Sequence, residues 1–234
     1  MTQYLFTPPT QVAVPIRGVS ALYPVRRIFC VGRNYEAHAL EMGAKPDREA
    51  PFYFTKSACD YAPSGSVIAY PPGTRHFHYE MELVIAMGAP AFRIAAAQAT
   101  AAIYGYACGL DMTRRDLQYA ARDQKRPWDL GKDFESAAVL APIVPASECG
   151  HPVSGRIELR VNGVQRQASD LSLLLHPVAA IVADLSKFYH LGPGDLIYTG
   201  TPEGVGAVTP GDHLAGSIAA VGDIALTIGA AEQG

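Results

Sequence analysis

What this chain lacks removes whole classes of function at once. It has no surplus of positive charge: 19 Lys and Arg stand against 22 Asp and Glu, a net of -3. That leaves no basic field to hold a phosphate backbone or an anionic lipid surface, so neither nucleic acid nor membrane is an expected partner. No apolar run reaches membrane-spanning length, and the start, Met1-Thr-Gln-Tyr-Leu-Phe6, lacks the basic region and continuous apolar segment of a secretory signal. A cytoplasmic protein is expected. Cys30, Cys59, Cys108 and Cys149 stand far apart and match no Cys-x-x-Cys spacing, so a disulfide framework or zinc cluster has no support. Serine-hydrolase chemistry would need a Gly-x-Ser-x-Gly elbow, and none occurs. The glycine-rich stretch Thr199-Gly-Thr-Pro-Glu-Gly-Val-Gly206 lacks the Gly-Lys-Ser/Thr ending of a phosphate loop and is not followed by a helical pattern. Neither an internal repeat nor a low-complexity linker divides the chain.

What is present suits one domain of many short strands. At 234 residues and 49% hydrophobic, the chain can bury a substantial core. Its 22 glycines and 18 prolines are scattered, as turns between strands require. Residues 1–24, with short β-prone pieces between prolines, predict a strand or hairpin extension on a body spanning 25–230. Too few helices alternate with the strands for a regular βαβ arrangement, so an α+β, mainly β body with helices outside is expected.

Most of the chemistry-bearing residues fall at predicted strand ends, loops and helix starts. Arg27 to Gly32 predicts a buried strand delivering Arg33 and Asn34 to a loop. A short helix over Tyr35–Met42 follows, with Asn34 as a possible N-cap and Gly43 as its stop; His38 and Glu41, three apart, share a face. Gly43–Ala50 predicts a surface loop, and helix and loop together could move as a lid. Pro51–Lys56, aromatic and β-prone, predicts a strand that presents Lys56 at its end. Thr74–Met87 predicts one long strand, with His76, His78, Glu80 and Glu82 on one face and Phe77, Tyr79, Met81 and Leu83 on the other. Tyr104–Leu110 predicts a strand ending at Asp111. A helix start follows, with Thr113 and Asp116 at capping-box spacing and Arg115 and Gln118 on one side. Lys132 comes after a Pro-Trp turn. Asn162-Gly163 predicts a tight hairpin, and Pro177–Leu191 predicts an amphipathic helix whose apolar stripe runs through Phe188 and Tyr189.

Glu80 and Glu82 lie roughly 6 to 7 Å apart along a strand. At that spacing they are either a solvated acidic face or ligands of a hard cation. With Asp111 they make a three-carboxylate set suited to Mg2+ or Mn2+. His76 and His78 are zinc ligands on paper and polar-face residues otherwise. His38 with Glu41 is a candidate base and its orienting carboxylate, or an incidental surface ion pair.

Taken in order and spacing, Gly32-Arg-Asn-Tyr35 with His38 and Glu41, Phe54 to Lys56, His78-Tyr-Glu-Met-Glu82, Gly109-Leu-Asp-Met-Thr113 with Arg115, Asp116 and Gln118, Lys132 and Thr199 to Gly206 resemble the fumarylacetoacetate hydrolase family across about residues 22–229. The resemblance implies a mixed-sheet β-roll of that family's C-terminal-domain type, with peripheral helices and a short lid helix, in a homodimer. It implies one Mg2+ or Mn2+ per subunit on Glu80, Glu82 and Asp111, with His38, Glu41 and Lys132 catalytic. Arg33, Asn34, Lys56, Arg115, Gln118, Gly200 and Thr201 would bind a small 2-oxo acid. The text around Arg26–Tyr35, Asp111–Gln118 and Thr199–Val208 is most similar to the branch that cleaves fumarylpyruvate to fumarate and pyruvate in gentisate catabolism. Alternatives within the family are cleavage of short acylpyruvates, oxaloacetate decarboxylation, and 2-oxo acid isomerisation or hydration. Arg75, Lys125 and Arg126 are candidates for the substrate's far carboxylate. Two departures stand out: Ser57 where the family usually has proline, and Asp133 beside Lys132.

Overall fold

The computed structural model describes residues 3–43, 45, 48 and 50–232. The loop expected at 43–50 therefore lies partly outside the described residues. The chain opens with a hairpin, β1 (Ala13–Ile16) and β2 (Val19–Pro24), then continues as β3 (Arg27–Gly32). Helix α1 (Glu36–Glu41) follows, and β4 (Phe52–Lys56) returns beside β3. Short strands β5 (Tyr61–Pro63) and β6 (Val67–Tyr70) lead to β7 (Phe77–Tyr79) and, one residue later, β8 (Met81–Met87). A single helical turn, α2 (Ala96–Ala99), precedes β9 (Ile103–Asp111). Then come β10 (Thr113–Arg114), α3 (Arg115–Asp123) and α4 (Asp129–Lys132). Next are β11 (Ala138–Leu140), β12 (Val144–Pro145) and α5 (Ala146–Cys149), then the hairpin β13 (Arg156–Val161) and β14 (Val164–Asp170). The chain closes with α6 (Val178–Leu185), β15 (Asp195–Tyr198), β16 (Gly206–Ala207), β17 (His213–Ile218) and β18 (Gly222–Ala231).

These strands form the mixed, mainly β body expected. The central sheet runs β4-β3-β15-β8-β9-β11-β5 with β12 on β9, and a second sheet runs β14-β13-β17-β18-β6. Pairing is mostly antiparallel, with parallel joins at β15·β3, β11·β5 and β18·β6. One face of the central sheet supplies Phe29, Leu83, Ile85 and Cys108 to a core shared with Ile157, Leu159, Leu214 and Ile224 of the second sheet and Ile181 and Leu185 of α6. The other face packs Ile28, Cys30, Val84 and Ala107 against Val14 and Tyr23 of the hairpin. Because both faces are covered, β8 is buried at every residue, and past Glu82 the face expected to be polar continues with Val84 and Ala86.

Several local expectations need correction. The long strand at 74–87 is two strands in different sheets, broken at Glu80, because β7 leaves to pair with β10 and β16. Asn34 does not cap α1; Tyr35 occupies that position without a side-chain bond. The Asn34 amide instead donates to His176 O at 3.0 Å and Thr199 O at 2.8 Å and accepts from His176 N at 2.7 Å. The capping box at Thr113 and Asp116 is also absent: Arg114 precedes α3, and Asp116 accepts from Thr74 Oγ1 and the Arg75 N–H. The α6 stripe stops at Leu185, where Ser186 Oγ turns back to Ala183 O, leaving Phe188 68% exposed while the Tyr189 ring lies 4.8 Å from Phe29. The hairpin at Asn162-Gly163 forms as expected, with φ of 52° and 78°.

Candidate active site

Antiparallel pairing of β8 and β9 sets the start of one strand beside the end of the other, and this gathers the acids. Glu82 lies opposite Gly109, and the Asp111 N–H donates to Glu80 O at 2.9 Å. A side chain at 109 would meet Val84 Cγ2 at 2.5 Å and Tyr198 Cε1 at 2.6 Å, so only glycine fits under Glu82. One ligand oxygen from each of Glu80, Glu82 and Asp111 falls within 4.8 Å of the others, and all three residues are buried.

Cations surround the acids unequally. Lys132, carried by α4, donates to Glu80 Oε2 and Asp111 Oδ2 at 2.7 Å and to Thr113 Oγ1 at 2.8 Å. Arg115, first residue of α3, holds the other Glu80 oxygen and donates to Gln118 Oε1 at 2.6 Å, as their helical spacing anticipates. Lys56 pairs with Asp111 Oδ1 at 2.8 Å and donates to the carbonyls of Met112 and Lys132. Among the described residues, Glu82 receives only the Gly200 N–H, at 2.7 Å. Burial works to raise both glutamates, but the charges of Lys132 and Arg115 pull Glu80 well below the usual carboxylate range. Burial, then the charges of Asp111 and Glu80, push Glu82 well above it. Glu82 is the acid that no side-chain cation among the described residues pairs with, a hard dication would supply that charge, and the donors of the cluster are all oxygen: His76 is exposed, and His78 lies in β7 outside the cluster. The residues present fit Mg2+ or Mn2+ and give zinc no nitrogen ligand.

The His38 Nδ1 lies 3.0 Å from Glu41 Oε2. A carboxylate can only accept, so Nδ1 carries the proton and Nε2 is the basic nitrogen. Glu41 also accepts the Gly204 N–H at 3.1 Å, which clasps α1 to the glycine loop. Burial raises the Glu41 carboxyl, but the bonds from His38 and Gly204 offset it and leave it below the ordinary value.

Several of these groups face a narrow pocket of about 30 Å3. Glu80, Glu82, Arg115, Gln118 and Lys132 line its buried end, with His38 and Thr201. Arg33, Phe54, Arg122 and Trp128 line its open end, which continues into an outer groove. Lys56, Asn34 and Gly200, expected on the substrate, sit one layer behind the wall with their polar groups engaged by protein. Lys56 is fixed from three sides despite Ser57, whose φ of -69° is one proline would also adopt. The two departures meet each other: the Ser57 N–H donates to Asp133 Oδ1 at 2.8 Å, beside the buried Asp60.

Other residues of the site escaped sequence reasoning. Gln167, fully buried, accepts the Met81 N–H and donates to Thr201 Oγ1 and Pro202 O, pinning the glycine loop to β8. No local signal marks it. Tyr119 and Arg122 extend the Arg115–Gln118 face at helical spacing and could have been found from it.

Residues 27–229 match the family described as Fumarylacetoacetate (FAA) hydrolase C-terminal. The chain belongs to the fumarylacetoacetate hydrolase family. Among relatives, it is 55% identical over 194 residues to a fumarylpyruvate hydrolase of Ralstonia sp, a match covering 82% of this chain and 100% of that protein. It is 37% identical over 193 residues to the mitochondrial oxaloacetate tautomerase of Bos taurus, covering 82% and 87%. Its fold is similar to the crystal structure of the fumarylpyruvate hydrolase of Pseudomonas aeruginosa in complex with Mn2+ and pyruvate: TM-score 0.94, 47% identity, 97% of this chain and 100% of that one.

Proposed function

We propose that this protein hydrolyses the carbon–carbon bond of an acylpyruvate, converting fumarylpyruvate to fumarate and pyruvate in the gentisate branch of aromatic catabolism. The observation that carries the proposal is the buried Glu80, Glu82 and Asp111 cluster, whose two glutamates line the same pocket as His38, with Glu41 bonded behind the His38 ring. The Ralstonia and Pseudomonas relatives support the choice of substrate.

A divalent cation on the three acids supplies Lewis-acid charge beside the 2-oxo acid end of the substrate. The Arg115 Nε–H, buried and without a hydrogen-bond partner among the described residues, is a donor left for the substrate, with Gln118 alongside. His38, held in one tautomer by Glu41, takes a proton from water as the water oxygen attacks the acyl carbonyl. The bond from that carbon to the pyruvate methylene breaks, its electron pair passes into the pyruvate enolate, and a proton on the methylene carbon completes pyruvate. The Lys132 ammonium places positive charge where the oxyanion develops. A cytoplasmic homodimer, with 1–24 as an extension of a catalytic body at 25–230, is the accompanying expectation; light scattering tests the dimer.

The decisive assay is pyruvate release from fumarylpyruvate, acetylpyruvate and oxaloacetate with Mg2+ or Mn2+. Hydrolysis predicts fumarylpyruvate as the best substrate; release from oxaloacetate alone overturns it. The Bos taurus relative favours a second reading, oxaloacetate tautomerisation, which needs proton transfer without bond cleavage. Loss of enol absorbance with no pyruvate formed identifies it.

A further inference from the structure

Where the pocket meets the outer groove its chemistry differs from that of the buried end. At the buried end the cations are committed: Lys132 to Glu80 and Asp111, Arg115 to Glu80, and Lys56 to Asp111. Two arginines remain where the pocket meets the outer groove. Arg33 pairs with no carboxylate among the described residues, and its guanidinium lies 5.8 Å from the centre of the Trp128 ring. Its backbone sits at φ 58°, a left-handed conformation uncommon for a side chain of this size. Arg122 lies over the Tyr119 ring at 4.5 Å, reaches Met42 O at 3.4 Å, and pairs with exposed Asp123 at 3.0 Å. That last contact is open to solvent and holds it weakly. Phe54 completes the wall, 5.9 Å from Trp128.

We propose that Arg33 and Arg122 form a subsite for the second carboxylate of a dianionic acylpyruvate, with Tyr119, Phe54 and Trp128 receiving its planar unsaturated arm. The inference rests on the acylpyruvate reading above and adds what selects among acylpyruvates. Aromatic faces suit a flat conjugated chain, and guanidinium groups from two residues lining one opening suit a terminal carboxylate. Of the cations the sequence offers for the far carboxylate, Arg75 lies away from the pocket, and Lys125 and Arg126 line the outer groove alone.

The test compares wild type, Arg33→Gln, Arg122→Gln and the double variant on fumarylpyruvate and on acetylpyruvate, which lacks the far carboxylate. The ratio of the two kcat/KM values should fall about tenfold to a hundredfold in each single variant, mainly through KM for fumarylpyruvate. Trp128 is the sole tryptophan, so fumarate binding is also read directly by its fluorescence, and the apparent Kd should weaken by a similar factor. A ratio unchanged in the double variant, or fumarate titrations superimposable on wild type, overturns the subsite. Failure of wild type to release pyruvate from either substrate would instead overturn the hydrolase reading, and the fumarate titration would still decide the subsite.

Discussion

Replacing Lys132 by Met should make the fold depend on the metal. The ammonium bridges Glu80 and Asp111 at 2.7 Å each, with Thr113 as a third acceptor, and is 2% exposed. Methionine fills much the same volume but leaves three buried carboxylates without that charge. Removing one partner of a buried ion pair costs about 3 to 5 kcal/mol. At about 2 to 4 °C per kcal/mol for a chain of this size, the thermal midpoint in EDTA should drop about 6 to 20 °C. In wild type, a dication at a hundred times its Kd adds about 2.7 kcal/mol, or about 5 to 11 °C. The increment should be larger in Lys132→Met, because the cation no longer competes with the lysine for Glu80 and Asp111. Differential scanning fluorimetry of both proteins, in EDTA and in Mn2+, measures all four midpoints. A variant melting within about 2 °C of wild type in EDTA, or gaining no more from Mn2+ than wild type does, would refute the reasoning.

His38→Ala should lower kcat by about a hundredfold to ten-thousandfold while keeping the Mn2+-induced midpoint shift, since His38 is not among the clustered ligands; turnover near wild type removes it as the base. Gly109→Ala should cost about 1 to 3 kcal/mol through overlap with Val84 and Tyr198, read by urea denaturation. An unchanged midpoint would mean that β8 and β9 are looser there. Asp60 is pushed up to about 8 by burial and then by the hydrogen bond and charge of Asp133, whose own carboxyl is held low. Folded, the pair keeps a proton that the unfolded chain has lost, so this pair's contribution to stability falls as pH rises through 4 to 8. Asp60→Asn donates the same bond at every pH, and its midpoint should decline less between pH 6 and 9. Parallel melting curves over that range would show that the pair holds no such proton.

How far each feature could be read depends on where its cause lies. The hairpin at Asn162-Gly163 and the shared face of Arg115 and Gln118 follow from turn geometry and helical spacing, which neighbours along the chain decide. The acids also announced themselves, because a carboxylate at the end of an apolar strand is conspicuous wherever the strand goes. Asn34 and Thr113 misled for the opposite reason. Each matched a local capping pattern, yet each is buried and takes partners far along the chain: Asn34 at His176 and Thr199, Thr113 at Lys132. Lys56 was visible as a cation at a strand end, but its direction, onto Asp111 and away from the pocket, follows from a sheet order that puts β3 and β15 between β4 and β8.

By itself the sequence determined the strand-rich class, through composition and scattered turn residues, and the family, through the order of motifs that resemble it, and that resemblance singled out the three acids. Only the tertiary structure decided which cation faces which acid, that β7 and β8 part at Glu80, and which arginines stand at the open end of the pocket. A buried polar group must find its partner across strands, and strand register is set by the packing of the whole core and by no short stretch of chain.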